Sequence, residues 1–147
     1  MNNSNAIEII LIEDNDYDAE LTTRALKKHL SNTIRRFSDG QEALDYFFPP
    51  DASSDPAIQK SQKLILLDLK LPFVTGLDVL KIIKSDPRTK SIPVVVLTSS
   101  TEEQDIIESY QLGVNSYIVK PVEFENFMDS IQKLGLYWLL VNRYPQQ

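Results

Sequence analysis

Five polar residues close or directly follow apolar runs of strand length: Glu13 and Asp14 after the first run, Asp68 after the third, Thr98 at the end of the fourth and Lys120 after the fifth. Three carboxylates at close quarters repel one another, and a pair about 4 Å apart costs about 4 kcal/mol at an effective dielectric of roughly 20. Protonating one of them relieves part of that cost. An all-oxygen set without His or Cys also suits a hard divalent ion, and Mg²⁺ commonly takes one or two carboxylates, several waters and a phosphate oxygen. Such a site is completed by a phosphoryl group. Asp68 stands alone behind the most apolar run, Leu64 to Leu67, and is the expected nucleophile, forming an aspartyl phosphate. Glu13 and Asp14 are adjacent and suited to holding the ion. Lys120 would neutralise one phosphoryl oxygen as a point charge, and Thr98 would donate a hydrogen bond to another.

The runs that carry these residues set the architecture. Ile7 to Ile12, Thr33 to Phe37, Leu64 onward until Pro72 stops the run, Pro93 to Leu97, and Ser116 to Val119 read as strands. The unbroken apolar character of the third run marks a strand buried on both faces of a parallel sheet, and the second, Thr33 to Phe37, is weaker. Helical patterns lie between them. The first opens in the polar stretch Asn15 to Asp18 and puts Leu21, Ala25 and Leu26 on one face as far as Leu30. A short helix carries Ala43, Leu44, Phe47 and Phe48 before Pro49 and Pro50, and another follows Gly76 with Leu77, Val79, Leu80 and Ile83 inward, closed by Asp86 and Pro87. The fourth spans Glu102 to Leu112 with Gly113 as its cap, and the last runs from Glu123 to Val141. Residues 49 to 62 read as a solvated surface loop. The expected fold is α/β and doubly wound, a flavodoxin-like five-stranded parallel sheet in the order 2-1-3-4-5. That order brings all five polar residues to one edge.

The chain has 147 residues, one core's worth, so a single domain spanning residues 1–147 is expected. A net charge of −6 argues against nucleic acid or an anionic membrane as partner and favours a protein. With no cysteine, thiolate chemistry and disulfides are excluded. The polar Met1 to Ala6 segment and the lack of a long apolar run lead to the expectation of a cytoplasmic protein.

Taken singly, each site residue has an ordinary structural explanation: a solvated acidic turn, β propensity at Thr98, a surface lysine before Pro121. Their joint placement at the ends of four strands favours the chemical reading. A phosphohydrolase would carry a second acid two residues after its nucleophile, where this chain has Lys70. A flavin site would not place Glu13, Asp14, Asp16 and Asp18 against a phosphate, and a calcium loop lacks its Gly and Glu, since Ala19 and Ala25 stand there. A binding module that works without phosphorylation remains open. His29, beside Lys27 and Lys28, reads as a surface residue complementing a helix end.

The acid pair, the Asp68 strand followed by Pro72 and Gly76, Thr98 with the small Ser99, and Lys120 before Pro121 together resemble the receiver domains of two-component response regulators, from about Ile7 to Leu134. The resemblance implies that Asp68 accepts a phosphoryl group from a phosphohistidine on a sensor histidine kinase. It implies Mg²⁺ held by Asp14, Asp68, the main-chain carbonyl of Lys70 and, through water, Glu13. It makes Tyr117 the switch aromatic that turns inward as Thr98 moves, and the bond before Pro121 cis. Such a chain is a signalling phospho-acceptor rather than an enzyme acting on a separate substrate. Glu13 departs from the commoner Asp, and Lys70 and Ser100 occupy variable positions that tune phosphate lifetime.

Residues 135–147 are read as a helical extension and tail of a stand-alone receiver, and Leu136, Tyr137, Trp138, Leu139, Leu140, Val141 and Tyr144 exceed one inward stripe. Tyr137, Trp138, Leu139 and Tyr144 are the expected interface residues, in a homodimer formed through the fourth helix, fifth strand, fifth helix and tail. With the long loop and the Ile92 to Ser100 stretch, the chain looks most like the small response regulators that partner phytochrome-type histidine kinases.

Overall fold

The computed structural model describes residues 7–49, 62–99 and 103–133. Five strands, β1 (Glu8–Ile12), β2 (Ile34–Phe37), β3 (Lys63–Leu67), β4 (Val94–Thr98) and β5 (Ser116–Val119), alternate with helices α1 (Asp16–Lys27), α2 (Gly40–Phe47), α3 (Gly76–Ser85), α4 (Glu103–Gln111) and α5 (Phe124–Lys133). All strand pairs are parallel, and the sheet order is β2-β1-β3-β4-β5.

Both faces of this sheet are covered, which is why its central strands β1, β3 and β4 carry no polar alternation. Ile9, Leu11, Leu64, Leu66, Val95 and Leu97 pack with Ala19, Leu26, Phe127 and Ile131 on one side. Ile10, Ile12, Ile65, Leu67, Val94 and Val96 pack with Ala43, Phe47, Val79, Leu80 and Ile83 on the other. At about 25 cal/mol per Å² of apolar surface, these two layers are the main source of stability, and they fix the strand ends relative to one another.

Among the described residues, three helix starts are capped by side chains. Asn15 accepts from the Asp18 amide at 2.8 Å, and Asp39 from the Glu42 amide at 2.8 Å. Thr75 and Asp78 form a reciprocal capping box at the start of α3. Gly76 opens that helix directly against the β3 end: a Cβ there would lie 2.3 Å from the Asp68 carbonyl oxygen and 2.5 Å from the Leu69 Cα. At Gly113, φ is +100°, the left-handed cap expected after α4.

Three expectations shift. Leu21 is 36% exposed and does not share the buried face of α1, which Ala19, Thr22 and Leu26 form instead. Helix α1 ends at Lys27, short of Leu30, although Leu30 is buried beyond it. The third strand starts one residue before Leu64, at Lys63, which is buried and paired with Glu8 at 3.3 Å. Helix α5 is described to Lys133. The helical extension from Gly135, the interface residues Tyr137, Trp138, Leu139 and Tyr144, most of the long loop and Ser100 lie outside the described residues. Among the described residues, no helix is long and apolar enough to cross a membrane.

Candidate functional site

The site is built from main-chain ladders that run one residue past the strands. The Asp68 amide donates to the Ile12 carbonyl at 3.0 Å, and the Glu13 amide to the Phe37 carbonyl at 3.0 Å. The Lys120 amide donates to the Thr98 carbonyl at 2.8 Å. Glu13, Asp68 and Lys120 therefore sit on adjoining rungs at the carboxyl edge of the sheet. Glu13 is 2% exposed and Asp68 4%, while Asp14 faces solvent.

Glu13, Asp14 and Asp68 each offer an oxygen within 4.8 Å of the others. Lys120 lies across this set: its Nζ donates to Glu13 Oε1 at 2.7 Å and to Asp68 Oδ2 at 3.1 Å. A third bond, at 2.9 Å, goes to Asp18 on α1, a residue whose sequence position reads only as an acid in the first turn of a helix. Arg36 on β2 was also overlooked. It grips the Glu13 carbonyl through Nε at 3.0 Å and Nη2 at 2.7 Å, and pairs with Asp16 at 2.9 Å, so it fixes the acid pair's backbone. Of the acids that superficially suggested a calcium loop, Asp16 goes to Arg36 and Asp18 to Lys120, while Asp14 stays with the cluster of Glu13 and Asp68.

The charges settle unequally. Burial pushes the Glu13 carboxyl up to about 7, with Lys120 opposing and the Asp68 charge adding to the rise. Burial acts on Asp68 too, but the Lys70 amide at 3.1 Å, the hydrogen bond with Glu13 and the Lys120 ammonium outweigh it, and its carboxyl falls below the usual range. Burial alone would lower the pKa of Lys120; its three carboxylate partners raise it above an ordinary lysine. These contacts favour the ionised form of Asp68, while burial favours the protonated form of Glu13.

The donor set fits a hard divalent cation: three carboxylates, no soft ligand, and an exposed member in Asp14 through which solvent reaches the cluster. Thr98 closes β4, fully buried and in register with Val119, next to Lys120. Tyr117, in register with Val96, is half-buried against the layer that packs α2 and α3. Lys70 meets Asp68 through its amide, and its side chain is exposed. The Lys120–Pro121 peptide is cis, as the resemblance implied. The exposed His29 stacks its ring on Phe124 with centroids 4.0 Å apart.

Comparison with known proteins identifies the family. The response regulator receiver domain family matches residues 9–132. A probable methanogenesis regulatory protein, FilR2 of Methanothrix harundinacea, is 39% identical over 93% of this chain and 86% of its own. Response regulator Rcp1 of Synechocystis is 36% identical over 89% of this chain and 88% of its own, and one of its structures is a Mn²⁺-bound form, superposing with a TM-score of 0.66 at 35% identity over 90% of this chain and 94% of that one. The structure of the bacteriophytochrome response regulator AtBRR superposes with a TM-score of 0.78 at 48% identity, covering 94% of this chain and 99% of that one. The chain belongs to the response regulator receiver domain family, with phytochrome response regulators among its near relatives.

Proposed function

We propose that the chain is a response regulator that accepts a phosphoryl group on Asp68 from a sensor histidine kinase of the phytochrome type, in a Mg²⁺-dependent reaction, and signals through changed protein contacts. The observation that carries this reading is the convergence of a buried Asp68 with Glu13, Asp14 and the Lys120 ammonium on one sheet edge. Glu13, Asp14, Asp68 and the Lys70 carbonyl would hold the ion, which would neutralise charge shared between the acids and the incoming phosphoryl oxygens. Lys120 and Thr98 take phosphoryl oxygens, and Tyr117 is the switch residue that follows Thr98. A shift from 1:99 to 99:1 between resting and active arrangements needs about 5.5 kcal/mol, a sum within reach of an ammonium, a hydroxyl and a metal ion acting together.

The output is a protein surface, in a cytoplasmic setting. Exposed Ile107 and Tyr110 on α4 and Val119 on β5 support self-association through α4, β5, α5 and the tail. Incubating the chain with acetyl phosphate and Mg²⁺, followed by intact mass measurement and light scattering, tests this. One phosphoryl group should add to the wild-type chain and none to Asp68→Asn, and the modified form should change its association. Equal uptake by both chains would refute Asp68 as acceptor, and no uptake by either would leave a phosphorylation-independent binding module.

A further inference from the structure

We propose that Asp18 is a positioning residue for Lys120, drawing its ammonium toward α1 and so setting the balance between metal binding and phosphoryl binding at Asp68. This inference rests on the phospho-acceptor reading of the site. An ammonium has three hydrogens to donate, and the three carboxylates of Glu13, Asp18 and Asp68 at 2.7, 2.9 and 3.1 Å take all of them. Two of those acceptors belong to the acid cluster suited to the ion; Asp18 does not. It therefore competes for Lys120 without competing for the metal.

Its placement is firm. The Asp18 amide is held by the Asn15 cap at 2.8 Å, its carboxylate stands in the first turn of α1 where the helix dipole favours an anion, and its side chain is 35% exposed. It borders an open groove of about 480 Å³ that Leu21, Thr22, Ser99 and Lys120 also line, so a neutral isostere fits without repacking the core.

Two effects of opposite sign follow. With Asp18 in place, Lys120 leans less on Glu13 and Asp68, leaving their oxygens to a divalent ion, and the extra negative charge favours the cation. The same residue occupies a donor that a phosphoryl oxygen needs and sets an anion beside an anionic group. Asp18→Asn should therefore bind Mg²⁺ more weakly and a phosphoryl mimic more tightly.

The test is calorimetric titration of the full chain with Mg²⁺ alone, then with beryllofluoride at saturating Mg²⁺, for wild type, Asp18→Asn, Glu20→Gln and Asp68→Asn. Glu20 supplies the control because it carries the same charge on the same helix and pairs with Arg24 instead. The expected result is a Mg²⁺ affinity about twofold to fivefold lower and a beryllofluoride affinity about twofold to fivefold higher in Asp18→Asn, the range for one partly exposed ion pair, with Glu20→Gln like wild type. Both affinities unchanged in Asp18→Asn, or both falling together as a distorted helix would make them, would overturn the proposal. So would Glu20→Gln reproducing the pattern. A wild-type chain that takes no beryllofluoride, or Asp68→Asn taking it equally, would instead bring down the phospho-acceptor reading itself, and the role of Asp18 with it.

Discussion

Two lysines, Lys63 buried and Lys120 with its side chain 11% exposed, mark opposite edges of the sheet. At the amino edge, Lys63 pairs with Glu8, which also takes Arg35 at 3.1 Å and the Tyr46 hydroxyl at 3.3 Å, and both cations lie over the Tyr46 ring, at 5.7 and 5.0 Å. Two positive charges there meet the Glu8 carboxylate. At the carboxyl edge the balance is reversed, with Lys120 facing Glu13, Asp18 and Asp68 while Asp14 stands beside them. Similar side chains thus build a closed structural network at one end and an anionic pocket in need of more positive charge at the other. Burial of a lysine by itself distinguishes nothing; the sign of the residual charge around it does.

The largest expected effect breaks the carboxyl edge. Lys120→Met should destabilise the metal-free chain by about 3 kcal/mol in urea unfolding, because two buried carboxylates lose their common partner, and millimolar Mg²⁺ should recover most of that loss. Lys63→Met should cost about 1 kcal/mol and show no response to Mg²⁺, since Glu8 keeps Arg35 and the Tyr46 hydroxyl. Equal losses and equal Mg²⁺ responses at the two ends would erase the distinction.

Next comes Gly76→Ala. Its Cβ would meet Asp68 and Leu69 backbone at 2.3 and 2.5 Å, so the β3 end must shift, at a cost of about 1–3 kcal/mol in thermal unfolding and with loss of phosphoryl uptake.

The pH dependence sharpens the contrast further. Glu13 has a folded pKa of about 7 against an ordinary 4.5, so the folded chain binds the extra proton. The stability this contributes is complete below the mid-4s and fades as pH rises through about 7. Denaturant midpoints of metal-free wild type should fall across that window, and those of a Glu13→Gln chain should fall less. The smallest effect is Thr75→Ala, which removes the α3 capping box and should cost about 1 kcal/mol without changing the charge at either edge.

Much of this was legible in the chain itself, for physical reasons. Strands buried on both faces leave continuous apolar runs, and a parallel winding must deliver their polar ends to one edge, so Glu13, Asp14, Asp68, Thr98 and Lys120 could be grouped before any coordinates. Asp18 could not, because an acid in a first helical turn is already explained by the dipole, and its bond to a lysine 102 positions away is tertiary. Arg36 lay hidden in a weak strand. Leu21 misled because the face of α1 is phased on Ala19, Thr22 and Leu26, with a buried threonine where an apolar residue would have signalled it. Gly76 was visible as a helix start, but its contact with the Asp68 carbonyl exists only once α3 packs against β3.

The central claim is that the anionic edge holds a phosphoryl group on one particular carboxylate. Reductive trapping of the acyl phosphate formed with acetyl phosphate and Mg²⁺, followed by peptide mass mapping, tests it most directly. The label should fall on Asp68 alone and vanish when Mg²⁺ is chelated; a label on Glu13, Asp14 or Asp18, or one indifferent to Mg²⁺, would contradict it.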